Sequence, residues 1–425
     1  MSGSREEHRI AVIGAGMSGL ATVHYLPDEF DVVVYEADDE VGGVVSSLHR
    51  DGHVLETGPQ RLRSTGPVEA FIDAYDLHDE VVVGDDDQPL FAYFDGALRP
   101  MPLSVRRAIT TDLLSWRGKA RVLLEPLTGP PQDDETVAEY LARAFGREAA
   151  TRFMGPLYSG LYGSDPDEMY VRYSLGKALE HAGIEGSVLR SVLGKLREGV
   201  DIPEIITFTD GLQTLPAAIY DRHAESIHLG TAVTDLETAG EGYRLYTEDG
   251  TDPVDTVVLA TPAPTAGSLL QSVAPAAGDA IAGLTYNALG VVHLHSAYDG
   301  HGHGFHVVDD GYITGGSTWN HSMLGREGIY TSYVASGDPS TLSTEPSVLG
   351  RRAATEFEEI TGAPATPIEV TVLRPGMPAY DRSWTNLDAL ELPEDIHLCT
   401  AFTERAGIVG RLVDGKRTAT AIAEQ

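Results

Sequence analysis

Three glycines and one acid carry the first chemistry legible in this chain. Gly14, Gly16 and Gly19 fall in the order G-x-G-x-x-G within GAGMSGL, after the β-branched run HRIAVI (8–13) and before the helical pattern ATVHYL. A second apolar run, FDVVVYE (30–36), ends in Glu36. Strand, glycine turn, helix and strand-terminal acid together describe a dinucleotide site. Gly14 permits a tight turn, Gly16 lets a pyrophosphate approach the backbone, and Gly19 lets helix and strand pack closely. Amides around Ala15, Met17 and Ser18, at the helix start, then face phosphate with the macrodipole behind them. Glu36, followed by Ala37, accepts hydrogen bonds from ribose hydroxyls. No Ser-His-Asp order, P-loop or zinc spacing competes with this assignment.

Composition sets the frame around that site. A chain of 425 residues is too long for one ordinary core and implies two or three domains. Hydrophobic content of 42% is that of a globular protein, and no apolar run approaches the ~18 residues of a membrane helix. The opening MSGSREEHR lacks the apolar core of a signal peptide, and one cysteine, Cys399, leaves no intramolecular disulfide or cysteine metal cluster. A reducing cytoplasm is the expected location. Asp and Glu number 64 against 30 Lys and Arg, a formal charge of −34. No basic stripe can neutralise phosphates, so nucleic acid is excluded as a partner. Such self-repulsion opposes a compact state in dilute salt, whereas at molar salt the screening length falls to ~3 Å. The expected setting is a salt-rich cytoplasm, as in halophilic archaea, with an acidic mesophilic protein as the alternative.

Along the chain, LFAYFDGALRPMP (90–102) predicts a hairpin turning at Asp95-Gly96. From about 103 to 200 the pattern is helical, with TVAEYLARAFGREAATRFM amphipathic and Thr136 its N-cap. GPLYSGLYGSDPDEM (155–169) fits neither strand nor helix and predicts a tight, turn-rich stretch that ends a helix. Strand character returns at 205, a hairpin follows in HLGTAVTDLETAGEGYRLYTEDGT, and 286–334 reads as antiparallel strands. HGHGFH (301–306) predicts a solvated loop and no metal site. The chain closes with a strand, a glycine turn and a helix from about Ile408.

Two further segments extend the site. Gly42-Gly43 follow Glu36 in ADDEVGGVVSS, and DGHVLETGPQRLR (51–63) contains an E-x-G-P segment. An acid-ended strand, a Gly-Gly pair and E-x-G-P resemble the FAD-dependent amine oxidase superfamily. That resemblance implies an α/β chain: a Rossmann-type, glutathione-reductase-like FAD-binding domain (1–75, 203–270 and 391–425), a mixed-sheet substrate domain (76–102 and 271–390), and a helical insert (103–202). It implies that Gly42, Gly43 and Val44 lie along the FAD pyrophosphate, and that Gly58, Pro59, Gln60 and Arg61 approach the isoalloxazine. Val233 meets the adenine, and Ala260 and Thr261 end a strand beneath the cofactor. Ala406, Gly407, Ile408 and Val409, with Ala401 nearby, deliver a helix N-terminus to the flavin pyrimidine. Many relatives carry an arginine just past the Gly-Gly pair, where this chain has Val44, Val45 and Ser46. Arg61 or Arg63 then compensates, or the phosphates rely on backbone amides alone.

FGREAATRFMGPLYSGLYGSDPDEM (145–169) narrows the resemblance to the protoporphyrinogen and coproporphyrinogen oxidases, through Phe145, Gly146, Pro156, Leu157, Gly160, Tyr162, Asp165 and Pro166. FTDGLQTLP, VVLATPAP, GGSTWNHSML and PGMPAYD follow in the same order. The implied reaction is oxidation of a porphyrinogen, with the flavin reoxidised by oxygen or another acceptor. A tetrapyrrole needs an apolar cleft and cations or donors for its propionates, and the candidates are Arg63, Tyr162, Arg172, Trp319, Arg374 and Tyr380. No side chain is assigned the chemistry itself, and the resemblance leaves room for a peripheral membrane contact. The same FAD frame also serves carotenoid desaturases, amine oxidases and UDP-sugar mutases, and could serve a flavin- or tetrapyrrole-binding protein without turnover.

Overall fold

The β-branched runs that open the chain lie side by side in a parallel sheet. The computed structural model describes residues 8–198, 203–334, 342, 345–404 and 407–425. The chain divides into two compact units, the first formed by Met1–Val82, Ile206–Leu284 and Thr385–Gln425. Its strands β1 (Arg9–Ile13), β2 (Asp31–Tyr35), β3 (Ile227–His228), β4 (Thr256–Leu259) and β5 (Ile396–Leu398) are ordered β3-β2-β1-β4-β5, with parallel pairing throughout. Ile10, Ala11 and Val12 are wholly buried, as continuous apolar strands covered on both faces must be. Helix α1 (Met17–Tyr25) and the C-terminal helix Ile408–Ala423 pack so closely that a Cβ at Gly415 would stand 2.5 Å from that of Ala21. The hairpin expected within 228–251 forms between Asp235–Ala239 and Gly242–Thr247, and a third strand, Gly250–Val254, extends it to a meander.

The first unit also buries a titratable ring. His24, on α1, packs on Phe71 and Tyr75, its Nδ1 2.9 Å from the Tyr75 hydroxyl. Burial, with smaller contributions from His223 and Arg222, lowers its pKa from 6.5 to about 4. The folded state therefore binds this proton less well than the unfolded chain does. Its contribution is fully present above pH 6.5 and is lost as pH falls toward 4. Denaturant titrations at both ends of that window should show the difference between parent and His24→Gln shrinking by about 1–2 kcal/mol on acidification. An unchanged difference would remove His24 as an acid-sensitive site.

The second unit comprises Val83–Ile205 and Thr285–Trp384. Its seven-stranded mixed sheet runs in the order Ala365–Pro378, Tyr286–Ser296, Ile329–Val334, Thr314–Thr318, Gly304–Val307, Leu90–Phe94, Ala97–Pro100. Neighbours are antiparallel except Gly304–Val307 with Leu90–Phe94. Asp95 and Gly96 turn the last hairpin with positive φ, as the sequence predicts. Helix Pro346–Thr361 covers one face, packing Leu349, Ala353 and Phe357 on Val292, Leu294 and Tyr330. The helices between 105 and 198 belong to this same compact unit.

Two expectations fail here, for one reason. Gly155–Tyr162 is a helix, continuous with the wide turn Ala150–Met154, and its turn comes only at Gly163, in the left-handed region. Pro156 sits in the first turn, where no amide bond is lost. Gly160 is there for close approach, since a Cβ would meet the His306 ring at 2.1 Å. Correspondingly HGHGFH is no solvated loop: Gly304–Val307 is a strand, and His303 Nε2 lies 2.9 Å from the Asp85 carbonyl. The glycines that suggest turns in each segment instead let helix and strand touch.

Candidate functional site

The glycine turn after β1 has the predicted shape. Gly14 adopts a φ of +105° and donates to the Tyr35 carbonyl at 2.8 Å. A Cβ at Gly19 would fall 1.9 Å from the Gly14 carbonyl oxygen, so α1 can begin this close to the turn only without a side chain. Gly42, with φ +109°, donates from its amide to Ala15 O at 2.9 Å and lays the second glycine turn beside the first. The facing edge is open: a Cβ at Gly16 would find nothing nearer than Gly42 O at 4.0 Å, and one at Gly43 only Gly16 Cα at 3.5 Å. Gly16 caps α1 and Gly407, with φ +92°, caps the C-terminal helix, neither with a side-chain hydrogen bond. Two helix N-termini thus keep their amides for a ligand.

Glu36 stands over the first turn. Its Oε2 accepts from Ala15 N at 2.6 Å and its Oε1 from Asp38 N at 3.0 Å, which leaves acceptor capacity for hydroxyls. Thr261 packs its methyl against Gly14, and its buried hydroxyl has no protein partner. The open edge at Gly16 and Gly43, with the spare acceptors of Glu36 above it, fits a polar ligand such as a dinucleotide. Val44 is exposed, and a Cβ at Gly58 would lie 1.9 Å from Val44 O, so Gly58 serves the approach of these two segments. Pro59 and Arg61 are partly buried, while the Gln60 amide donates to the carbonyls of Glu56 and Gly58 at 2.8 and 3.1 Å. Val233, Ala260, Ala401 and Val409 are partly buried and Ile408 is buried; Ala406 lies outside the described residues. Cys399 is buried beside Ser18, and burial pushes its thiol up to about 11, which leaves it unreactive.

Sequence reasoning missed Glu56, the acid of E-x-G-P. It is 1% exposed and accepts from Ser47 Oγ at 2.6 Å and from Leu212 N at 3.1 Å, and Gln213 N donates to the same Ser47 hydroxyl at 3.1 Å. This network ties E-x-G-P to the DGLQ turn. Its signal is an acid ending the apolar run HVLE. Glu56→Ala should cost about 2–4 kcal/mol in chemical denaturation, because it strands two buried donors. Parent-like stability would show that the network contributes nothing.

The aromatic and arginine candidates divide between the units, with Arg63 in the first and the rest in the second. Tyr162 meets Tyr380 edge-on at 5.1 Å and stacks on Tyr158 at 5.0 Å. Tyr380 stacks on Trp384 at 4.4 Å, Trp384 meets Tyr173, and the Arg172 guanidinium lies 4.5 Å over the Tyr173 ring. Tyr162, Arg172 and Tyr380 therefore share one aromatic ladder, of which Tyr158, Tyr173 and Trp384 escaped sequence reasoning. The i,i+4 spacings of Tyr158 with Tyr162 and of Tyr380 with Trp384 are its sequence traces. Tyr380 holds a φ of +55°, a strained conformation for a bulky residue. Arg374 donates to Leu342 O at 2.6 Å, and Trp319, 1% exposed among Phe91, Tyr298 and Phe305, lies in the core of the second unit.

Known proteins give the site its family. The family described as flavin containing amine oxidoreductase matches residues 17–373. Protoporphyrinogen oxidase 1, chloroplastic, of Spinacia oleracea is 28% identical over 354 residues, covering 76% of this chain and 62% of its own length. Coproporphyrinogen III oxidase of Staphylococcus aureus is 26% identical over 281 residues, 60% of each. A solved protein from Exiguobacterium sp. 255-15, provisionally assigned as a protoporphyrinogen oxidase, superposes with a TM-score of 0.78 over 99% of this chain and 100% of that one. At 21% identity it speaks for the fold alone. The chain spans about three fifths of the length of the curated relatives it matches. The dinucleotide that suits the paired glycine turns is FAD, and with most of its length matched the chain belongs to the flavin-containing amine oxidoreductase family.

Proposed function

We propose that the chain oxidises a porphyrinogen, protoporphyrinogen or coproporphyrinogen, by hydride transfer to FAD. The observation that carries this reading is the match of two porphyrinogen oxidases from a plant and a bacterium over 76% and 60% of the chain. Bound FAD would supply the two-electron acceptor. The protein's part is to bind, orient and exclude water. Amides at the start of α1, beside the open edge at Gly43, would hold the pyrophosphate, so that backbone donors replace the missing arginine. Glu36 holds the ribose, and the uncapped start of the C-terminal helix favours negative charge at the pyrimidine. Arg172 and Arg374, on the second unit, are the cations for the propionates of a tetrapyrrole, and Tyr162 and Tyr380, themselves buried, build the aromatic ladder on which Arg172 lies. Trp319 packs instead among Phe91, Tyr298 and Phe305 in the core of the second unit.

The test is anaerobic. Purified holoprotein is mixed with each porphyrinogen, and flavin bleaching is followed together with porphyrin fluorescence. Both should change together with at least one substrate. A retained flavin that neither porphyrinogen reduces would overturn the proposal and leave the family assignment standing.

A further inference from the structure

The C-terminal helix of the first unit encloses an acid. Asp414 is wholly buried, two turns or about 10 Å beyond the helix start at Gly407. A carboxylate in such a place loses its hydration, and partners must offset that cost. Two do so. Arg417, its side chain 58% exposed, donates to Oδ1, and the Thr403 hydroxyl donates to Oδ2 at 2.5 Å. A hydroxyl bound to a carboxylate at that length is among the strong hydrogen bonds.

Thr403 in turn closes the loop that follows β5. Thr400 N donates to Thr403 Oγ1 at 2.9 Å, Thr403 N donates to Thr400 O at 3.4 Å, and Phe402 N donates to Thr400 Oγ1 at 3.3 Å. The strand side is anchored as well, with Cys399 N donating to Leu259 O of β4 at 3.0 Å. Ala401 sits inside this turn, between the buried Thr400 and Phe402. The Thr403–Asp414 bond therefore ties two pieces eleven residues apart, the turn bearing Ala401 and the helix beginning after Gly407. Apolar residues of similar volume can replace a buried polar pair with little loss of stability, so the acid calls for a reason besides stability.

We propose that Asp414 is a positioning residue for the flavin: by holding Thr403 it keeps the turn bearing Ala401 in register with the start of the C-terminal helix, so that both meet the pyrimidine ring together. The inference rests on the reading above that this helix begins at the pyrimidine. Free amides at a helix start favour negative charge only where they point at it, and a fixed orientation is what makes such donors effective. A turn free to shift against the helix would spread Ala401 and the helix amides over several arrangements. The cost would fall most on the reduced flavin, which carries the charge those amides favour.

Titration of apoprotein with FAD, and equilibration of holoprotein with redox dyes of known potential, test this. Thr403→Val removes the donor at a partly buried position and keeps the side chain's shape. Its dissociation constant for FAD should rise about tenfold. The reduced flavin should lose about tenfold more, which lowers the reduction potential by about 30 mV. Thr403→Ser keeps the hydroxyl and should stay within about twofold of the parent in affinity. In an Asp414→Ala background Thr403→Val should add less than about twofold, because the bond is already gone. Cys399→Ala, a buried change beside the turn, should lower the melting temperature and leave the potential where it is, as loss of stability alone would. Parent-like affinity and potential in Thr403→Val overturn the proposal, as does a Thr403→Ser protein impaired as much as Thr403→Val. Val409→Glu tests the underlying placement by itself, since a negative charge in the first turn should lower the potential or expel the flavin. If it does neither, the helix start is not at the pyrimidine and the proposal falls with that reading. If it does either while Thr403→Val is silent, only the role of Asp414 falls. No porphyrinogen enters these measurements.

Discussion

Gly16→Val is expected to leave the chain folded and strip it of FAD, whereas Gly19→Ala is expected to destabilise the fold itself. The two glycines are three residues apart in one motif, yet their surroundings are opposite. Gly16 has an ordinary φ of −69°, and a Cβ there meets nothing within 3.9 Å, the nearest atom being Gly42 O at 4.0 Å. A valine costs stability only through its poor N-cap propensity, about 1 kcal/mol. Its methyls, however, fill the edge shared with Gly43 that a pyrophosphate must approach. Affinity for FAD should fall at least ~100-fold, roughly 2.7 kcal/mol. At Gly19 one methyl stands 1.9 Å from the Gly14 carbonyl, a backbone atom that cannot swing aside. Either α1 lifts from β1 or the turn opens, and both break the packing of α1 on Val12 and the turn, at a cost of order 3–5 kcal/mol. Flavin absorbance per chain after gel filtration, with thermal melts of both apoproteins, separates the cases. A Gly16→Val protein that retains stoichiometric FAD would remove the glycine edge from the binding site.

Gly16 and Gly19 also show what the sequence can and cannot display. Motif spacing identifies both, because the turn, the helix start and the strand are local in sequence and obey one periodicity. The parallel sheet is legible for the same reason, as HRIAVI, FDVVVY and TVVLA are continuous apolar runs. Contacts between distant segments are not. Glu56 meets Leu212, and Gly160 meets His306, across more than a hundred residues. A glycine at such a contact has the same appearance as a glycine in a turn, which is why 155–162 and 301–306 suggest loops. The aromatic ladder is hidden likewise, since Tyr162, Arg172 and Tyr380 come from three segments joined only by folding. Surface character lies between these extremes: the five cations between 103 and 124 are visible in the residue list, but the exposure of Trp116, Leu123 and Leu127 emerges only with the helices in place.

Raising KCl from 0.1 M to 1 M is expected to lift the melting temperature by ~10 °C or more, most of it before 1 M. Two electrostatic effects oppose one another in that titration. Salt weakens the surface ion pairs, such as Arg99–Asp112 and Arg352–Glu356, each worth at most about 1 kcal/mol. Salt also weakens repulsion among 64 acids facing 30 cations, a formal excess of 34 negative charges. The repulsion is long-ranged and many-bodied, so shortening the screening length from ~10 Å to ~3 Å removes far more of it than the pairs lose. Shape separates screening from the general strengthening of apolar burial by excluded salts. Screening saturates once the screening length is below the spacing of surface charges, whereas exclusion grows steadily with concentration. A curve that bends over near 1 M assigns the gain to charge, and sucrose at matched exclusion should not reproduce it. A melting temperature that stays flat, or rises in a straight line through 3 M, would mean that the acidic surface does not limit stability and would leave the salt-rich setting without support from this chain's charge.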